Sequence, residues 1–102
     1  MKFERTPAFK RDFKRLSEHH KSKFRELVPA FNAAAERAAA GEDKPWPKGM
    51  RVKPIKSADG IWELTWSMKD PDGRATSEWV EIDGEPAIRW RRVGDHGVLD
   101  RA

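Results

Sequence analysis

The chain has 102 residues, room for one domain (1–102) and one modest core, and it contains no Cys, which excludes disulfides and thiolate metal sites. Met1 to Lys10 carry charge throughout without an apolar run, so neither a secretory leader nor a membrane span is expected, and a reducing cytoplasm is the expected location. The net charge of +4 comes from 21 basic and 17 acidic residues, an excess that allows an anionic partner such as RNA without requiring one. A mean hydropathy of −0.88 leans toward disorder, but five Trp and five Phe lean the other way, because a chain that avoids burial carries few large aromatics.

In chain order, residues 2–5 read as a short opening strand. Thr6-Pro7 reads as an N-cap followed by Pro at the first helical position. Phe9, Phe13 and Leu16 then fall on one face of a short helix, with Lys10, Arg11, Lys14 and Arg15 on the others. Residues 17–21 read as a polar turn. A second helix is predicted over about 22–40, with a stripe of Phe24, Leu27, Val28, Phe31, Ala35 and Ala38 and with Gly41 as C-terminal cap. Pro29 lies inside it and predicts a kink or a break. Residues 42–49 read as a loop.

The period then changes from 3.6 to 2. Residues 51–56 predict the first strand of a meander, with Pro54 marking an edge or a bulge. A turn at 57–60 precedes the clearest strand, 61–68, where Trp62, Leu64, Trp66 and Met68 alternate with Glu63, Thr65 and Ser67. Asp70-Pro71-Asp72-Gly73 and Asp83-Gly84 are turn signals on either side of a strand over 74–82. A last strand, 87–93, sets Ile88 and Trp90 opposite Arg89 and Arg91.

The architecture predicted is α+β: a short N-terminal strand, a helical hairpin, then a three-stranded antiparallel meander. Trp62, Leu64, Trp66, Ile88 and Trp90 should be buried beneath the helices with Phe9, Phe13, Phe24 and Phe31. Glu63, Thr65, Arg89 and Arg91 should form a polar, cationic face open to solvent. Trp79 is the Trp least expected in the core. Trp46, in the Pro-rich loop, is the candidate for an exposed partner contact. His19 and His20 do not share a helix face and read as solvent-exposed. Glu63 reads either as a base or as the partner of Arg89 or Arg91. No zinc signature, Walker loop or dinucleotide glycine pattern is present.

Several segments resemble the RelE/ParE superfamily of toxins from toxin–antitoxin pairs, including its HigB-like branch. Phe3-Glu4-Arg5-Thr6-Pro7-Ala8-Phe9 is similar to the start of many such toxins. Lys53-Pro54-Ile55-Lys56 followed by Gly60-Ile61-Trp62-Glu63-Leu64 looks like their "K-x-L … G-[ILV]-[WY]-E-[LI]" segment. Gly73-Arg74 looks like a "G-R" strand opening, and Trp90-Arg91-Arg92-Val93-Gly94-Asp95-His96 like the final strand with its terminal His. The resemblance spans nearly the whole chain.

It implies cleavage of messenger RNA, usually on the ribosome, without metal or other cofactor, and neutralisation by a cognate antitoxin peptide. That peptide would lie across the sheet or between helices and sheet. Such cleavage needs a base for the 2′-OH, cations for the charge on the phosphorane, and an acid for the leaving 5′-oxygen. The resemblance maps Lys53 to the active position on the first meander strand, Arg74 to the phosphate-binding Arg, and His96 to the C-terminal acid or base. Arg51, Lys56, Arg89 and Arg91 would extend the RNA-binding surface. Taken alone, His96 reads as a solvated tail residue. The alternative is a non-catalytic protein of the same fold acting on gyrase, as the ParE branch does, or only on an antitoxin. Convergence of Lys53, Arg74 and His96 on one concavity favours the enzyme, and scatter favours the binder.

Overall fold

The computed structural model describes residues 2–47, 50–56, 58–67 and 73–94, with Trp66 and Ser67 described by their backbone alone. The expectations for His96, for the side chain of Trp66 and for the turn at 70–72 lie outside the described residues. Among these residues the order is β1 (Lys2–Arg5), α1 (Pro7–Arg15), α2 (Glu18–Ala39), β2 (Arg51–Pro54), β3 (Trp62–Ser67), β4 (Gly73–Ile82) and β5 (Glu85–Gly94). The strands form one sheet in the order β1-β5-β4-β3-β2. The meander is not three-stranded: all four segments read as strands, 51–56 included, pair in succession as β2 to β5. β1 joins the far side, parallel to β5, and makes the sheet mixed.

The local signals explain most boundaries. Thr6 Oγ accepts from Phe9 N–H at 3.1 Å, and its hydroxyl donates to the Arg91 carbonyl at 2.7 Å. One residue thus starts α1 and ties it to β5. Ser17 Oγ accepts from His20 N–H at 3.2 Å, so α2 begins four residues earlier than the pattern predicts. That extra turn places His20 one turn before Phe24 on the same stripe, and His20 is buried rather than exposed. Pro29 does not break α2. It costs one backbone bond, and the buried Phe24, Phe31, Ala34 and Ala35 on both sides of it hold the helix against the sheet. Gly41, at φ +92°, closes the helix with its N–H on the Ala38 carbonyl at 3.0 Å. Asp83 and Gly84 both have positive φ, as the tight β4–β5 hairpin requires.

Trp90 is the centre of the core, 2% exposed, with ring centroids 4.8 Å from Phe31, 5.2 Å from Phe24 and 6.1 Å from Phe9. Burying each such side chain contributes roughly 1.5–3 kcal/mol. Trp46 stacks on Phe31 at 5.2 Å and is half-buried, not an exposed contact. Trp62, expected in the core, is only half-buried, because it lies toward the end of the sheet below the last turn of α2. Between Thr76 and Ser77 the β4–β5 register shifts by one, and Arg91 falls between the paired positions of the ladder. This bulge resets the alternation. Trp90 and Val93, three apart, therefore both enter the core, and Val93 is 1% exposed.

Candidate functional site

Pairing across the sheet stacks the polar residues in two adjacent rungs. Arg51, Thr65 and Arg74 occupy one, and Lys53, Glu63 and Thr76 the next. Successive strand residues alternate faces, so all six side chains lie on the side away from Leu64 and Ala75. This face is not the open surface the alternation predicts. Glu63 is 5% exposed, and Thr65 and Thr76 are buried as well. Arg51, Lys53, Glu63, Thr65 and Arg74, with Met50 and Val52, enclose a recess of about 400 Å³.

Glu63 is the pivot of the recess. Its Oε1 lies 3.3 Å from Lys53 Nζ and 3.6 Å from Arg74 Nη1. Neither partner is Arg89 or Arg91, the two that the alternation suggests. Lys53 is Glu63's own cross-strand neighbour and Arg74 stands one position away diagonally, while the whole of β4 separates Glu63 from β5. Lys53 is mostly exposed and Arg74 mostly buried, so one cation reaches from solvent and the other from the wall. Two cations on one carboxylate leave a net positive recess suited to an anion.

Arg89 and Arg91 form a second cluster further along the same face. Arg89 pairs with Glu4 on β1 and approaches Glu78 at 3.7 Å, while Arg91 Nη1 donates to Glu78 at 2.5 Å. Glu78 stands four residues beyond Arg74 on β4, about 13 Å at the strand rise. The hydrogen bond to Glu4 is the main cause of a guanidinium pKa raised above its ordinary value at Arg89. A similar upward shift at Arg92 comes first from Asp12. The Asp12 carboxylate accepts from Arg92 Nε at 2.6 Å, Arg92 Nη2 at 3.0 Å and Val93 N–H at 3.2 Å, fastening α1 to the end of β5.

Lys53 and Arg74 of the predicted catalytic set thus come together, with Arg51 beside them. Lys56 lies in the turn after β2 and does not line the recess, and Arg89 and Arg91 belong to the other cluster. Thr65, placed on the polar face by its alternation with Glu63 but given no role in the sequence, lines the recess as well. Among the described residues no three His, Asp or Glu gather where an ion could be held.

No family model and no curated protein sequence matches the chain. A solved structure does: a YoeB/ParE toxin from Agrobacterium tumefaciens, 17% identical, aligned over 94% of this chain and 99% of that one with a TM-score of 0.53. The chain has the fold of a YoeB/ParE toxin. The match covers the β1–helices–meander order that the sequence motifs suggested, including the strands that build the recess. At this identity it establishes fold and leaves the chemistry to the residues.

Proposed function

We propose that this protein is the toxin of a toxin–antitoxin pair and that it is an endoribonuclease cleaving messenger RNA. The observation that carries this reading is the meeting of Lys53 and Arg74 on the buried Glu63 in one anion-suited recess, on a fold shared with a YoeB/ParE toxin. The scissile phosphate enters the recess. Lys53 and Arg74 stabilise the charge that develops on the phosphorane, and their positions are set before the substrate arrives, so they need no reorganisation in the transition state. Glu63 is a positioning residue: its carboxylate holds both cations on one centre. His96 relays a proton between the attacking 2′-OH and the leaving 5′-oxygen.

The antitoxin partner belongs to the same reading. A groove of about 200 Å³ runs between β1 and the helices, lined by Phe3, Phe9, Phe13, Phe24 and Trp90 with Arg5 and Arg25 at its sides. Phe3 is 47% exposed there, a large apolar side chain on an edge strand. Residues 2–16 hold six basic and two acidic side chains, a net of +4 that equals the net charge of the whole chain. An acidic peptide with apolar side chains matches both features.

The test is mapping of messenger 5′ ends by primer extension with ribosomes and purified protein. The parent is expected to cleave. Arg74→Ala should lose about 10²–10³-fold in rate, and His96→Ala about 10²–10⁴-fold. A folded parent that cleaves nothing, with or without ribosomes, overturns the enzyme reading. Inhibition of gyrase supercoiling by the same preparation would then establish the ParE-type alternative.

A further inference from the structure

Three of the five Trp converge on one cleft on the opposite side of the sheet from the recess. Trp46 comes from the loop after α2, Trp62 from β3 and Trp79 from β4, and the cleft measures about 470 Å³. Trp62 pairs with Ser77, so Trp79, two residues further on, is its diagonal neighbour on the same face. Diagonal neighbours stand about 7–8 Å apart. Both indoles line the cleft, within reach of one flat group lying in it. Trp79 is 37% exposed, an unusual position for so large an aromatic.

The remaining wall is prebuilt and carries two carboxylates. Arg37 donates through Nε to Glu42 at 3.0 Å and through Nη2 to the Pro45 carbonyl at 2.9 Å, which staples residues 42–45 to α2. Trp46 is fixed by its stack on Phe31. Lys44 has φ +54°, a left-handed backbone that favours glycine, and the staple holds it there. Glu42, Asp43 and Lys44 stand at the rim, and with Arg37 behind Glu42 they make two carboxylates against two cations. Glu42 is engaged by Arg37, whereas Asp43 has no ion-pair partner among the described residues.

We propose that this cleft binds a guanidinium cation, lying against Trp62 and Trp79 with Asp43 as its counter-ion. A guanidinium is planar, weakly hydrated and attracted to the electron-rich face of an indole, and its donors match a carboxylate. A nucleobase is flat too, but its phosphates would face the carboxylates at the rim.

The experiment follows the five indole N–H resonances of the full-length protein by NMR during titration with agmatine and, separately, with a Gly-Arg-Gly peptide. The expected result is a saturable millimolar shift at Trp62 and Trp79 with no change at the buried Trp90. Tighter binding of agmatine identifies a free small guanidine as the ligand class, and tighter binding of the peptide an arginine of a protein partner. Asp43→Asn and Trp79→Ala should each weaken binding about tenfold or more. Asp43→Asn, at an exposed loop position, is the variant that leaves folding untouched. No saturable shift with either probe overturns the proposal. So does equal binding of citrulline, the neutral isostere, or of an uncharged nucleoside. Messenger cleavage is indifferent to every one of these results, because the cleft shares no residue with the recess.

Discussion

The polar face of the sheet carries two charged clusters, one around Glu63 and one around Glu78, each with one central carboxylate reached by two cations. They differ in surroundings and in balance. Glu63 is buried in a concavity and holds Lys53 and Arg74, and it is the one acid among the described residues that line the recess. Around Glu78 the side chains are half-exposed, and Glu4 brings the count to two acids for two bases. Among the described residues the Glu78 cluster is a charge-balanced surface network, screened by water and salt, of a kind that contributes little to stability. In the Glu63 cluster Arg74 and the carboxylate are shielded from bulk water while Lys53 reaches in from solvent, so an anionic ligand in the recess meets one shielded cation and one exposed one. A carboxylate between two cations therefore does not by itself make a site; burial and balance decide.

The largest expected effect sets these clusters directly against each other. A Lys53→Ala/Arg74→Ala double variant should lose at least about 10²–10³-fold in messenger cleavage, because it empties the recess of its central cations. An Arg89→Ala/Arg91→Ala double variant should lose less than about tenfold, through weaker RNA attraction at a distance. Equal losses in the two would abolish the distinction.

Stability offers a second comparison. Asp12→Ala strips three donors of their acceptor and should lower stability by about 1–3 kcal/mol in a thermal melt. Glu78→Gln should leave the melt nearly unchanged, since its partners remain in water.

The pH dependence sharpens it further. The Arg92 guanidinium is raised above its ordinary value, so its contribution is complete below that value and is lost only as the pH climbs past the raised one. Between about pH 5 and 9 the Arg92 guanidinium gives no slope, and neither does that of Arg89. The cleavage rate should nevertheless fall as pH departs from the His range near about 6.5, following His96. His19→Ala should be silent. His20→Ala is not a neutral control, because His20 is buried and its loss should lower the melt. A flat rate profile from pH 5 to 9 would remove His96 from the site.

The smallest effect concerns the antitoxin groove. Binding of an acidic antitoxin peptide should weaken as salt rises, since Arg5 and Arg25 stand at the exposed sides of an apolar slot. A calorimetric titration at two salt concentrations reads this, and identical affinities would assign the binding to the aromatic floor alone.

Local chemistry was legible in the sequence wherever a few neighbouring residues decide the outcome. Thr6-Pro7 marked the start of α1, Gly41 the end of α2, Asp83-Gly84 the hairpin, and the alternation around Trp62 and Leu64 the core face of β3. Lys53 and Arg74 were legible as candidates through their motifs. Their meeting was not, because it depends on which strands lie side by side and in what register. The register brings Lys53 opposite Glu63 and Thr65 opposite Arg74, and a period-2 pattern contains no information about partners. The same limit explains the other departures. Ser17 caps a helix whose extra turn buries His20, Pro29 is tolerated because the packing on both sides outweighs one missing bond, and a one-residue bulge at Arg91 carries Val93 inward. The Ser17 cap is a local contact, but the burial of His20, the tolerance of Pro29 and the inward turn of Val93 were settled by contacts between residues far apart in the chain, where the free energy of burial outweighs local preference.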